Sequence, residues 1–321
     1  MNFNFKTQYE FSEFFKDERT CYEFFEQQRW NGVPVCPHCG SEKYYKVTPR
    51  GKFKDIPSYR CGNRKGCDLP FTVRTKSIFE GSKIEFKKWL LAVYEITTCK
   101  KGISSIELAN RIGTSQKTAW FIGHRLREML KETEPELLRD FVALDETLIG
   151  GKNKNKHSDK KIPHSQGRSS KGKTTVFGAR GLRGQIRTQV IPHADAENMV
   201  PLVEKWVEKG AIVVTDEWGA YNALKGDYFH ITVNHQDGQY VNGAFTSNGV
   251  ENFWSIFKRS IIGTFHNISP QHIQRYSDEL AFRYNQKDKK NHELFNDAIR
   301  CCKNARITYR ELTKGLFEKK K

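Results

Sequence analysis

Residues 213–221, VVTDEWGAY, and residues 248–266, NGVENFWSIFKRSIIGTFH, decide how this chain reads. The first is a short apolar run that ends on an acid, Asp216, and passes into a turn. The second has a helical period: Val250, Phe253, Phe257 and Ile261 form one apolar stripe, and Glu251 lies at its edge in the first turn. A third stretch, FVALDETLIGG at 141–151, repeats the pattern of the first and ends its apolar run on Asp145. Hard divalent cations prefer carboxylate oxygens and keep part of their water shell, so a few acids suffice to hold them. Asp145, Asp216 and Glu251 are therefore candidate catalytic residues and ligands for Mg²⁺ or Mn²⁺, in the arrangement that phosphoryl transfer uses. Glu146 and Glu217 compete with the two aspartates, although strand alternation points them to the opposite face. His235 and His266 are candidates for a supporting role or for DNA contact.

The surrounding pattern is α/β. After FVALDE come KTTVFGARG and GQIRTQVIP, two strands joined by a glycine-rich turn. ADAENMVPLVEKWVEKG follows as an amphipathic helix on Met199, Leu202, Val203, Trp206 and Val207, then the strands AIVVTDE and YFHITVNH. The order β-β-β-α-β-α-β-α predicts an RNase H-like mixed sheet with helices on its faces. In that arrangement the strands carrying Asp145 and Asp216 are neighbours, and the helix after them brings Glu251 over the sheet ends. Lys258 shares the helix edge of Glu251, where it and Arg259 could meet a phosphate.

Ahead of this domain the chain carries modules of another kind. CPHCG at 36–40 and CGNRKGC at 61–67 supply Cys36, Cys39, Cys61 and Cys67, two thiolate pairs on turns that together predict a tetrahedral Zn²⁺ site. The second pair has a five-residue spacer, wider than usual, and His38 stays open as a substitute ligand. Cys21, Cys99, Cys301 and Cys302 lack such spacing and are expected to be structural. From Phe86 to Ile96 an apolar stripe marks a helix. Ser104 then opens a short helix through Ile112, Gly113 makes a turn, and Thr114 or Ser115 caps another helix. In that last helix Ala119, Ile122, Leu126 and Met129 face inward, which leaves Lys117, Thr118, Phe121, His124 and Arg125 outward. Two short helices about a glycine turn, the second polar and basic, predict a helix-turn-helix with its recognition helix in the major groove. The expected DNA contacts are Lys117, Thr118, His124 and Arg125.

The composition agrees with a polyanionic partner. The 321 residues hold 54 Lys and Arg against 37 Asp and Glu, a net charge of +17, and phosphate neutralisation drives non-specific nucleic-acid binding. Much of the excess lies in a loop at 152–173, whose Lys152, Lys154 and Lys156 are further candidate DNA contacts. The first 20 residues are acidic in part and read as no signal peptide. No run approaches the length of a membrane span. A cytoplasmic location is expected, where the eight cysteines stay reduced. The aromatic residues Phe14, Phe15, Tyr22, Phe24, Phe25 and Trp30 read as packing residues.

CPHCG, GTSQKTAWFIGHRLR, LDETLIGGKNKNKH, VVTDEWGAY, VNH, NGVENFWSIFKRSIIGTFHNIS and QRYSDELAFRYN, in that order, give the chain a resemblance. It resembles the bacterial zinc-ribbon insertion-sequence transposases related to the Merlin transposons (the ISXO2-like domain), within the larger DDE group. The resemblance spans roughly residues 30 to 290. It implies binding of terminal inverted repeats in double-stranded DNA, magnesium-dependent strand cleavage and joining, and a homo-oligomer on DNA. Carried over by position, the triad is Asp145, Asp216 and Glu251, with Asn248 and Asn252 open as alternatives for the third ligand. The expected organisation is a helical segment at 1–30, a zinc ribbon at 31–80 and a helix-turn-helix domain at 81–135. The catalytic domain follows at 136–290, then a helical basic tail at 291–321. A regulator that has lost catalysis and a nuclease that cuts without joining are the alternatives.

Overall fold

The computed structural model describes residues 4–49, 56–133, 135–151, 153–155, 157–163, 171–216, 221, 224, 226–233, 248–302 and 307–317, and every structural statement below concerns these. The chain divides into two compact units, one made of residues 1–130 with 288–321 and the other of residues 131–287.

The first unit begins with α1 (Gln8–Phe14) and α2 (Glu18–Trp30), started by the Thr7 and Asp17 side chains, which accept from the Glu10 and Thr20 amides. A three-stranded antiparallel sheet follows: β1 (Tyr44–Val47), β2 (Ser58–Cys61) and β3 (Pro70–Phe71). Then come α3 (Phe86–Thr98), α4 (Ser105–Ile112) and α5 (Gln116–Met129). Gly113, at φ +61°, ends α4 in the left-handed region, which costs a residue without Cβ little. Ser115, of the two candidates, caps α5 by accepting from the Thr118 amide.

The expected C-terminal tail is instead part of this unit. α9 (Asn291–Arg300) buries Leu294, Phe295, Ala298 and Ile299. The Phe295 ring lies 5.3 Å from Phe11 and 5.8 Å from Phe24, so the early aromatics read as packing residues find much of their packing at the far end of the chain. α10 (Tyr309–Phe317) follows.

The second unit is a five-stranded mixed sheet in the order β6-β5-β4-β7-β8. Its strands are β4 (Phe141–Ile149), β5 (Thr174–Gly181), β6 (Ile186–Ile191), β7 (Ile212–Thr215) and β8 (Phe229–Thr232). β4, β5 and β6 form an antiparallel meander, while β7 pairs parallel with β4, and β8 with β7. Helices cover both faces, which is why the first four residues of β4, Phe141 to Leu144, are all apolar. On one side Val142, Leu144, Phe177 and Val213 pack with Met199, Val203 and Trp206 around α6 (Ala196–Trp206). On the other, Ala143, Ile149, Val176 and Ile186 pack under α7 (Asn248–Ser260) and α8 (Ile273–Asn285) through Val250, Phe253, Phe257 and Tyr276.

α8 also closes the β6 edge. The Ile186 amide donates to Asn285 Oδ1 at 2.7 Å and the Val190 amide to Gln274 Oε1 at 2.7 Å, and both carboxamides donate back to strand carbonyls. An edge strand so occupied is no template for further pairing. The helix expected between β7 and β8 falls largely outside the described residues.

Candidate functional site

Asp145 and Asp216 come from neighbouring strands in step. The parallel pairing of β4 with β7 matches Phe141 to Ile212, Val142 to Val213 and Ala143 to Val214. The same offset, carried two residues further, sets Asp145 level with Asp216. Strands pair about 4.8 Å apart and side chains at one level share a face. Alternation puts Asp145 on the side of Ala143, beneath α7 and α8, whereas Val142 and Leu144 face α6.

Directly across from Asp145 in the antiparallel pairing stands Gly178. A Cβ there would come within 2.6 Å of Trp254 Cζ2 and 3.5 Å of Val250 Cγ2. The absent side chain thus lets α7 lie close over this level of the sheet. Glu251 follows Val250 on the same turn, with its side chain exposed.

These acids act on one another. Burial pushes the Asp145 carboxyl up to about 7, and the negative charges of Glu146, Asp216 and Glu251 push in the same direction, against the Glu146 amide that donates to Asp145 Oδ1 at 2.9 Å. Glu146 turns to the opposite face, as alternation requires, and accepts from the Tyr221 hydroxyl at 2.8 Å. That phenol is held well above its usual range by burial and by Glu146. Glu217 and His235 lie outside the described residues, and His266 is exposed at φ +56° just after a π-helical turn, Ile261–Phe265. Each acid in isolation is ordinary; together their negative charges raise the affinity of Asp145 for positive charge, a proton included.

The four cysteines come together as the spacing predicts. Cys36, Cys39, Cys61 and Cys67 have their sulfurs all within 4.8 Å of one another, with Cys36 and Cys67 3.8 Å apart and Cys39 and Cys61 3.5 Å apart. A tetrahedral zinc with metal–sulfur distances of about 2.3 Å sets its sulfurs about 3.8 Å apart, so the donor set fits that ion. Each sulfur also receives the amide two residues on: His38 to Cys36, Ser41 to Cys39, Asn63 to Cys61 and Leu69 to Cys67. Amide donors favour thiolate, the form a metal needs. The wide spacer is absorbed locally, because the Asn63 carbonyl accepts from the amides of Gly66, Cys67 and Asp68. His38 is not part of the cluster. Among the described residues this is the one group of three or more potential ligands so close together; the three acids do not form such a group.

The expected DNA-contact residues divide. Lys117 is exposed at the start of α5 and Thr118 is half-buried. His124 and Arg125 are buried, 0% and 4% exposed, which corrects their outward placement. Arg125 donates to the Glu80 carbonyl at 3.1 Å, and its guanidinium lies 5.3 Å from the Trp89 ring. His124 packs on Trp120 at 4.5 Å. The apolar stripe of α5 is narrower than the arc its neighbours cover. Tyr309 shares the outward face, 5.7 Å from Phe121 and under the Lys117 ammonium. Lys258 and Arg259 are exposed at the end of α7. Lys152 and Lys156, and the side chain of Lys154, lie outside the described residues.

Residues 137–285 match the ISXO2-like transposase domain and residues 16–54 the transposase zinc-ribbon domain. The chain is 30% identical over 256 residues, 76% of its own length and 83% of the other's, to an uncharacterized protein in transposable element ISH50 of Halobacterium salinarum. The chain belongs to the ISXO2-like transposase family.

Proposed function

We propose that the chain binds the terminal inverted repeats of an insertion sequence, cuts the DNA strands there and joins them to a target. The observation that carries this reading is the common level of Asp145 and Asp216 on adjacent parallel strands, with α7 seated over Asp145 by the gap at Gly178. The order of the strands, an antiparallel meander flanked by parallel β7 and β8, supports an RNase H-like catalytic domain. Asp145, Asp216 and Glu251 would hold divalent cations, and the raised carboxyl of Asp145 suits that role. Divalent cations held by these three carboxylates would supply an activated attacking oxygen and would offset charge on the transferring phosphate.

The rest of the chemistry belongs to positioning. Water attacks the phosphodiester at each element end, the phosphorus–oxygen bond to the 3′ oxygen breaks, and a 3′-hydroxyl is freed. That hydroxyl then attacks a target phosphodiester in line, with no covalent enzyme intermediate. α4 and α5 about Gly113 would serve as a helix-turn-helix, with Lys117 and Thr118 toward DNA. The zinc ribbon, Lys152, Lys154, Lys156, Lys258 and Arg259 would grip the backbone. Two ends must be processed together, so an oligomer of this chain is expected on DNA.

A strand-transfer assay with labelled element ends, Mg²⁺ and a plasmid target tests the reading. Joined products are expected, and Asp216→Asn should abolish cutting and joining while end binding persists. Binding without cutting would mean a regulator, and cutting without joining a nuclease. Cutting retained by Asp216→Asn would remove that residue from the site.

A further inference from the structure

The second cysteine pair has five residues where two to four are usual, and the extra ones are not inert filler. The spacer reads Gly62-Asn63-Arg64-Lys65-Gly66. The three amides gathered on the Asn63 carbonyl make it a fixed turn rather than a slack one. Gly62 clasps it to the chain leading into β1: its amide donates to the Lys43 carbonyl at 2.7 Å, and a Cβ at Gly62 would lie 2.9 Å from the Lys43 backbone. Ser41, Lys43, Asn63, Arg64 and Lys65 consequently surround one hollow of 440 Å³.

The charges around that hollow are arranged for a ligand. Arg64 and Lys65 are exposed at the apex and Lys43 is exposed beside them. The Arg64 guanidinium lies 5.0 Å from the ring of Tyr45, itself 49% exposed on β1, which pre-orders it without neutralising it. The nearby acid that might have quenched the group, Asp68, is taken by Arg60 through two hydrogen bonds of 2.8 and 2.7 Å. Glu42 is the exposed acid in the same stretch. Three cations around one small hollow, whose other lining residues are Ser41, Gly62 and Asn63, suit phosphate oxygens.

We infer that this spacer loop is a phosphate clamp, in which Arg64, Lys65 and Lys43 hold the sugar–phosphate backbone of duplex DNA whatever its sequence. The ligand class rests on the DNA-binding reading above, so the test separates the two. Full-length zinc-loaded protein is titrated with an element-end duplex and a random duplex at salt concentrations between about 50 and 200 mM. Each phosphate contact contributes about 0.9 to the slope of log affinity against log salt. Arg64→Gln with Lys65→Gln should therefore flatten the slope by about 1.8 for both duplexes alike, with zinc content unchanged. Arg19→Gln, removing an exposed cation already paired with Glu23 on α2, should leave it unaltered.

Should the double variant lose zinc, Lys43→Gln, which lies outside the ligand loop, decides alone with an expected change of about 0.9. Unchanged slopes in variants of a protein that binds DNA would overturn the clamp and leave the transposase reading intact. No duplex binding by the unaltered protein would overturn both. Loss of binding to an acidic polypeptide with duplex binding untouched would reassign the loop to a protein partner, and the clamp would fall.

Discussion

Gly178→Ala adds one methyl group at the closest approach between α7 and the sheet. Its Cβ would stand 2.6 Å from Trp254 Cζ2 and 2.8 Å from Cη2, whereas ordinary carbon contacts begin near about 3.5 Å. The indole must retreat by roughly 1 Å, and it has little room, being 4% exposed among Val250, Phe253 and Phe257. Overpacking of this kind costs about 1–3 kcal/mol. At roughly 2–4 °C per kcal/mol for a unit of this size, the unfolding midpoint should fall by about 2–12 °C. Trp254 and Glu251 are three residues apart on one rigid helix, so the carboxylate moves with the ring. On the role proposed for Glu251, a displacement near 1 Å at the reacting centre costs on the order of 10²-fold in rate. Single-turnover cleavage of a preformed element-end complex reads that loss apart from DNA binding, which should be unchanged. Trp254→Phe removes the two atoms in collision, so the double variant should recover part of both losses, a non-additivity that separate defects would not produce. Wild-type cleavage and melting in Gly178→Ala would refute the idea that this glycine sets the height of α7.

Four other outcomes follow from the structure. Cys67→Ser should lower zinc content as severely as Cys39→Ser when metal is measured on purified protein; full zinc in Cys67→Ser would show that the wide-spaced sulfur is no ligand. Arg125→Ala should lower the melting temperature by removing a buried cation from Trp89 and the Glu80 carbonyl, with no change in the salt dependence of DNA binding. Lys117→Ala should flatten that dependence by about 0.9 with melting nearly unchanged, and the reverse pattern would restore the outward reading of Arg125. Asp145 titrates near 7 folded against 3.8 unfolded, so the folded state binds the extra proton between those values. Metal-free protein should therefore lose stability as pH rises from about 4 to 7, and Asp145→Asn should remove that part of the loss. Mg²⁺ should restore stability above pH 7; chemical denaturation with and without the ion checks this, and indifference to it would argue against the acids as its ligands.

Much of the architecture was legible along the chain because it is local. An apolar run ending on an acid marks β7, though the same pattern at Asp145 stops short of β4, which runs on to Ile149 and leaves that acid in mid-strand; Ser104 and Ser115 mark helix starts, and the cysteine turns mark the ribbon. Other features depend on a partner the local pattern does not name. The periodicity of α5 places His124 and Arg125 outside its apolar stripe, yet α3 and the segment around Glu80 cover that arc as well. The stripe of α9 is readable, but nothing local says that Phe295 completes an aromatic core begun at Phe11. Gly178 carries a partial signal, since a glycine inside a strand often marks a close approach, but only the paired strands reveal that it faces Asp145.

The sequence by itself determined which groups are available: the acids at the ends of apolar runs, the four thiols, the excess of positive charge and the alternation that sends Glu146 away from Asp145. Tertiary structure alone decided which of these share a place. Strand register brought Asp145 level with Asp216, a missing side chain let α7 settle above them, and a carbonyl at Asn63 folded the long spacer. The physical reason is that composition and periodicity act over a few residues, whereas register and close packing are settled between segments far apart in the chain.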